Sequence, residues 1–388
     1  MQIDSKRGRA ALLVGHIAGM VDMVALPVWV GTLVQRYGLN AQQAGGLVTL
    51  FLSGVVVASV LLAPRFEALP RRWMPTLGYG VAALAFIVLA NLDSFPAMAA
   101  LHVIGGLGVG CGLSFTHGTI GRTANPHRTF AWAQAALGVF AVGFLGVVPK
   151  VVAARSGAAF FVILAAVMLT AMLVVTVGFP ASRAAIAEKR TPVTKPPIPR
   201  ATWFVIAAVT LLTLNQAMVF SFLERIGVDR HFGAARVNLV LLMTGIVALF
   251  PAIIAAWQQK RLHPRTVALI APWAQALLAL TISTSLAYGP YALAGSAYPF
   301  VTLFAHTFLF GWIARLDPSG RAVALTPAMV MSGSAIGPFV AGTLVLGMGY
   351  GAIGAGVVVV ALLSTVLLSR IPRSSAAIAA ETVMRPAP

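Results

Sequence analysis

Residues Ala10 to Leu33 read AALLVGHIAGMVDMVALPVWVGTL. A helix of this length and composition crosses a hydrocarbon layer about 30 Å thick. Asp22 sits near its middle, where a carboxylate costs roughly 3 kcal/mol even on the mildest insertion scale. That cost disfavours an unpaired, lipid-facing position. Gly15 and Gly19 fall on the same helical face as Asp22. Small residues let neighbouring helices approach closely, so this face should look into protein. Pro27 follows about a turn and a half later, removes a backbone hydrogen bond and can loosen the helix beside the acid. Asp22 is read as the only carboxylate within a membrane-length segment.

The rest of the chain agrees with that start. Of 388 residues, 59% are hydrophobic and 9% charged, and the mean hydropathy is +0.91. No soluble domain needs so much apolar surface, and the fold class expected is an all-α membrane protein. The short alternating segments of a transmembrane β-barrel are absent. Cys111 is the single cysteine, which leaves no intrachain disulfide and no cysteine-rich metal site. Lys6, Arg7 and Arg9 resemble the start of a signal peptide. The apolar run behind them is about twice the length of an h-region, without a clear cleavage site, and is read as a retained first span.

Charged or Pro/Gly-rich breaks give twelve candidate helices. They lie at 10–33, 42–63, 74–90, 97–120, 129–149 and 157–179, then at 201–223, 237–257, 266–287, 289–314, 322–346 and 348–369. The break at 287–289 rests on Tyr288, Gly289 and Pro290 alone. With the N-terminus inside, only Arg36, Lys150, Arg155, Arg225, Arg230 and Arg236 of the 27 Lys and Arg fall outside. This positive-inside asymmetry puts both termini in the cytoplasm, as in a bacterial inner membrane protein. The formal charge of +18 is then topological. It does not mark a nucleic-acid partner, and attraction to anionic lipid is secondary. Pro180 to Arg200 contains five prolines and five Lys/Arg, a composition that favours an extended, solvated connector. The organisation expected is an N-terminal six-helix bundle over 1–179, a cytoplasmic linker over 180–200 and a C-terminal six-helix bundle over 201–388 with a short tail.

Two six-helix halves joined by a basic linker resemble the major facilitator superfamily. The loop after span two carries the resemblance further. Family members have Gly-x-Leu-Ala-Asp-Arg-x-Gly-Arg-Arg/Lys there, where this chain has Ala63, Glu67, Arg71 and Arg72 within 63–72. The resemblance implies a cytoplasmic latch between helices, carried here by Glu67, Arg71 and Arg72. The second-half counterpart, 256–265, keeps Lys260, Arg261 and Arg265 without an acid. Span four is similar to the family's Arg-x-x-Gln-Gly-x-Gly, with His102 in the arginine position followed by Gly105, Gly106 and Gly108. No strand precedes these glycines, so close helix packing explains them better than a dinucleotide fingerprint. In span eleven Gly333, Gly337 and Pro338 form a helix-packing motif related to that of antiporter branches, whose span-five pattern is degenerate here.

The resemblance also implies twelve helices around a central cavity between the halves, lined most closely by spans one, four, seven and ten. Polar residues of those spans become the candidates. Asp22 and His102 are the proton-coupling candidates, because desolvation favours the neutral form of an acid and imidazole titrates near neutral pH. Trp29, Asn215, Gln216, Tyr298, Thr302 and His306 are the substrate-cavity candidates. Tyr291 and Trp132 read equally well as an interface anchor and a core aromatic. Gln275, in the peripheral span nine, has no explanation at this level.

The function expected is secondary active transport of a small organic solute by alternating access, coupled to protons. Export of an apolar or aromatic compound is slightly favoured over uptake of a solute such as an organic acid. Gly112-Leu113-Ser114-Phe115 matches the loose pattern of rhomboid intramembrane serine proteases, a frequent chance match in the wrong architecture. A sensory or scaffolding role would need an output domain, and none is visible. No P-loop appears, so ATP is not the energy source. No cofactor or metal is expected; the partners expected are a small-molecule substrate, protons and the bilayer, with the chain as a monomer.

Overall fold

The computed structural model describes residues 5–62, 65, 69–70, 72–180, 198–317, 322 and 326–371. Among them the regular structure is helical, with no strand. The chain divides into two compact units, Met1–Val193 and Thr194–Pro388. The first contains α1 (Lys6–Gly19), α2 (Val21–Tyr37), α3 (Ala41–Leu62), α4 (Met74–Leu89), α5 (Phe95–Ile120), α6 (Pro126–Ala154) and α7 (Gly157–Gly178). The second contains α8 (Arg200–Asp229), α9 (Ala234–Val247), α10 (Pro251–Gln258), α11 (Pro264–Thr284), α12 (Tyr288–Leu316), α13 (Thr326–Met348) and α14 (Gly351–Ser369). Among the described residues, 11 segments are long and apolar enough to cross a membrane, and α4 is a shorter apolar helix. Glu67 and Arg71 of the expected latch, and 181–197 of the expected linker, lie outside the described residues. Arg72 is exposed, with its guanidinium 5.4 Å from the centroid of the Trp73 ring.

Three boundaries differ from the hydropathy reading. The first span runs from Lys6 to Tyr37 and is broken at Met20, whose φ of −117° and ψ of 11° leave the helical region. Pro27 stays inside α2, so the break precedes Asp22 and the loosening expected beyond it is not where the helix parts. Span eight is two helices. Leu249 N–H and Phe250 N–H close tight three-residue bonds to Ile246 and Val247, and α10 restarts at Pro251, whose missing N–H is no loss at that position. Span seven continues to Asp229 instead of ending at 223. Glu224 and Arg225 read as an exit from the bilayer, yet both are good helix formers, and Arg225 grips Asp229 one turn on.

Lipid tails are as apolar as leucine, so helices in a membrane associate through close contact and not by expulsion of water. Glycine makes that contact possible in both units. A side-chain carbon on Gly106 of α5 would overlap the carbonyl oxygen of Phe51 on α3. One on Gly78 of α4 would lie 2.5 Å from the carbonyl oxygen of Gly108 on α5. In the second unit Gly333 and Gly337 of α13 lie against α8, where a carbon on Gly337 would come within 2.6 Å of Ala217 Cβ. Pro338 is buried beside them. Around these seams the first unit closes on Trp29, Phe51, Phe86 and Phe160, and the second on Leu212, Leu309, Trp312 and Ile313. Large apolar residues such as Leu84, Leu173, Leu277 and Val359 remain exposed, as lipid-facing positions require.

Candidate functional site

The break at Met20 delivers Asp22 to the first turn of α2. The residue is fully enclosed, and neither carboxylate oxygen has a hydrogen-bond partner among the described residues. The first turn of a helix carries uncommitted backbone N–H groups and the positive end of the helix dipole, which favour an anion there. Gly15 and Gly19 hold the adjoining turns of α1 against α5. A carbon added to Gly15 would lie 2.8 Å from Thr116 Oγ1, and one on Gly19 would lie 2.6 Å from Leu113 Cδ1. Tyr79 ties the same seam by donating its hydroxyl to the Gly15 carbonyl at 2.6 Å. The acid therefore faces protein and not lipid.

His102 and Trp29 belong to a different part of the first unit. His102 Nδ1–H donates to the Met98 carbonyl at 2.7 Å, which leaves Nε2 as the acceptor. Trp29 Nε1–H fills that acceptor at 3.3 Å. Both ring nitrogens are thus committed, and no lone pair is open to a proton. Trp29 is 0% exposed, with ring centroids of Phe51, Phe86 and Phe160 at 4.8, 5.8 and 5.6 Å. His102 and Trp29, expected as a proton-coupling and a substrate-cavity residue, are placed together in the aromatic core of this unit. Helices α2, α3, α4, α5 and α7 each contribute to it, a convergence that no sequence spacing displays.

A second polar group in this unit joins His117, a polar residue of span four, to His16 and Gln134, which the sequence reading did not single out. His16 Nε2–H donates to Gln134 Oε1 at 2.7 Å, so its Nδ1 accepts from His117 Nε2–H at 2.9 Å. The two imidazoles stack with centroids 5.1 Å apart, and Phe130 meets His117 edge-on at 5.3 Å. His16 is nearly fully buried and Gln134 is exposed. A lone histidine in an apolar run gives no signal of such partners, which come from α5 and α6.

In the second unit four of the cavity candidates converge. Asn215 Nδ2 on α8 donates to Gln275 Oε1 on α11 at 3.2 Å. Gln275 Nε2 donates to the Leu212 carbonyl at 3.1 Å and to Thr302 Oγ1 on α12 at 2.7 Å. Thr302 donates in turn to Gln216 Oε1 at 2.6 Å. Tyr298 is closed into the same junction, its hydroxyl on the Asn215 carbonyl at 3.0 Å. Gln275 is the centre of the network, which accounts for a polar residue on span nine. Gln216 is only partly buried, and its amide nitrogen has no partner among the described residues. His306 lies one turn beyond Thr302, stacked on Phe310 at 5.1 Å, with Nε2 unpartnered. The network contains no formal charge.

The extension of α8 past residue 223 brings in a carboxylate that hydropathy places outside the bilayer. Glu224 is partly buried, and its Oε2 is enclosed without a partner among the described residues. Asp22 is therefore not the only acid in a membrane-length helix. Arg225, next in sequence, is taken by Asp229 through Nη2–Oδ1 at 2.6 Å and Nε–Oδ2 at 3.0 Å. Tyr350 donates a further short bond to Asp229 Oδ2. A helical continuation, not an apolar run, was the readable signal for Glu224: two strong helix formers with an acid four residues after Arg225.

The sequence model of the Major Facilitator Superfamily matches residues 11–316. The chain belongs to the major facilitator superfamily. No curated protein matches it by sequence. Its fold is similar to that of solved superfamily structures. A D-xylose–proton symporter is 14% identical, with 95% of this chain and 98% of that chain covered at a TM-score of 0.68. The nucleoside transporter NupG is 15% identical, with 96% and 98% covered at 0.70. A bacterial homologue of the human lysosomal transporter Spinster is 14% identical, with 97% and 96% covered at 0.67. At these identities the likeness shows the fold alone. This superfamily member is an integral membrane protein whose first unit holds the buried acid Asp22 beside a broken first helix and whose second holds the Asn215–Gln275–Thr302–Gln216 network.

Proposed function

We propose that the chain is a secondary active transporter that moves a small organic solute by alternating access, with Asp22 as the proton-coupling acid. The observation that carries this reading is Asp22 itself, a fully enclosed carboxylate with no partner among the described residues, at the start of a broken helix. Burying a carboxylate without a partner costs several kcal/mol, and the cost falls when it takes a proton. Discontinuous helices that present such sites are a recurring device in secondary transporters. The likeness to a D-xylose–proton symporter is consistent with proton coupling.

The solute class follows from the second unit. Gln216 offers free amide donors and His306 an enclosed, unpartnered Nε2, in surroundings without formal charge. These groups suit a neutral solute with hydroxyl, amide or ring-nitrogen groups better than the purely apolar compound favoured by composition. Both termini are assigned to the cytoplasm of a bacterial inner membrane by the distribution of Lys and Arg, and the working unit to a monomer. In reconstituted vesicles, Asp22→Asn is expected to abolish accumulation driven by a pH gradient while leaving solute exchange at equal pH intact. Accumulation that survives the substitution would exclude Asp22 from coupling. Opposed gradients of proton and solute distinguish export from uptake.

A further inference from the structure

We propose that Glu224 is a second proton-binding carboxyl of this transporter, the counterpart in the second unit of Asp22 in the first. The inference rests on the reading of Asp22 given above and extends it to a residue on α8. Each carboxyl would take up one proton from water as an O–H bond on a carboxylate oxygen and return it to water later in the cycle. No electron moves and no other reactant is needed.

The argument is one of missing counter-charge. Oε2 of Glu224 is enclosed and unpartnered among the described residues. A carboxylate in such a place needs a cation, hydrogen-bond donors or a proton. Most groups at this end of the unit are already engaged; Arg230 Nη1 is enclosed without a partner, as Oε2 is, and no bond joins the two. On its own helix, Arg225 and Asp229 form a two-pronged pair, and just beyond it Arg230 Nη2 donates to the Ser283 carbonyl on α11 at 2.6 Å. On α12, Tyr291 gives its hydroxyl to the Leu223 carbonyl at 2.7 Å, and Tyr288 gives its own to the Arg236 carbonyl at 3.3 Å. On α9, the Arg236 guanidinium lies 5.3 Å from the Tyr288 ring centroid. At the start of α14, Tyr350 is spent on Asp229. Helix α13 carries no titratable side chain, and the only one on α11, Arg265, lies at its opposite end, donating to the Ile371 carbonyl. Arg225 and Arg230 thus each bind another acceptor, neither donates to Oε2, and a proton is the cation that remains. Among the described acids, Asp22 and Glu224 alone have an enclosed carboxylate oxygen without a partner; Asp93 and Asp229 are exposed, and Asp317 accepts from Ala322 N–H at 2.8 Å.

The test is infrared spectroscopy of the full chain in lipid vesicles, with the proton as probe. Above about pH 6 solvated carboxylates are ionised, so a carboxylic-acid carbonyl band there reports an enclosed protonated acid. Wild type is expected to show two such bands, both shifted by deuterium exchange. Carbon-13 labelling of the glutamate carboxyls should move one band and leave the other. Glu224→Gln should abolish the band that labelling moves, and Asp22→Asn the other. Absence of any glutamate band in the labelled wild type overturns the inference, and that result does not depend on a variant folding. Absence of the aspartate band with the glutamate band present would instead count against Asp22 as the coupling acid and leave Glu224 supported.

Discussion

Gln275 on α11 donates its amide to the Thr302 hydroxyl on α12 at 2.7 Å, and that hydroxyl is thereby turned toward Gln216 on α8. One side chain from a span expected to be peripheral fixes the orientation of groups on two others. Asn215, also bound to Gln275, completes the junction and leaves the Gln216 amide nitrogen as its free donor.

Replacing Gln275 by leucine removes three hydrogen bonds and leaves Asn215 Nδ2 without its acceptor. Buried groups left unpaired cost about 1–3 kcal/mol. The variant should unfold at lower temperature than wild type in detergent and bind solute more weakly, because Thr302 then keeps only its bond to Gln216. Gln275→Glu should retain the Asn215 bond and lose less.

Trp29→Phe keeps the ring contacts with Phe51, Phe86 and Phe160 and deletes the donor to His102 Nε2. A stability loss of about 1–3 kcal/mol is expected from the unpaired acceptor, with transport at wild-type level once the protein is folded. A loss of solute affinity without a stability change would return Trp29 to the cavity.

Gly106→Ala forces a carbon onto the Phe51 carbonyl. Overpacking of this kind costs about 1–3 kcal/mol, read as a lower melting temperature and a broader peak in size-exclusion chromatography. Gly143→Ala is the control: nothing lies within 4 Å of the added carbon, and alanine is the better helix former.

Burial, and then its bond to Asp229, hold the Tyr350 phenol above its ordinary value. A group whose folded-state affinity for the proton is raised stabilises the fold below the unfolded value, about 10 for a phenol, and loses that contribution as pH rises past it. Tyr350→Phe should therefore cost about 0.5–1 kcal/mol at neutral pH, at the low end because Asp229 is 32% exposed. The difference from wild type should shrink only in strongly alkaline solution. Thermal unfolding across pH checks both statements.

The sequence made the membrane spans legible because hydropathy is a local property, and each expected span has a helical counterpart. It also placed Asp22, Asn215, Gln216, Tyr298 and Thr302 among the residues to watch. What it could not display is pairing. Gln275 was unexplained until α8 and α12 flanked it, and His16 went unnoticed because His117 and Gln134 are over a hundred residues away. Glu224 was lost for another reason: hydropathy treats charge as an exit, whereas the helix carried on through it.

Helices α3, α4 and α5 touch main chain to main chain at Gly106 and Gly78, where a single methyl group would not fit. Plates riveted at such points resist sliding past one another. Any bending inside the first unit must fall to helices beyond the rivets. Helix α6, with an interior proline at Pro149 and vacant room beside Gly143, and the span broken at Met20 are the blades suited to flex.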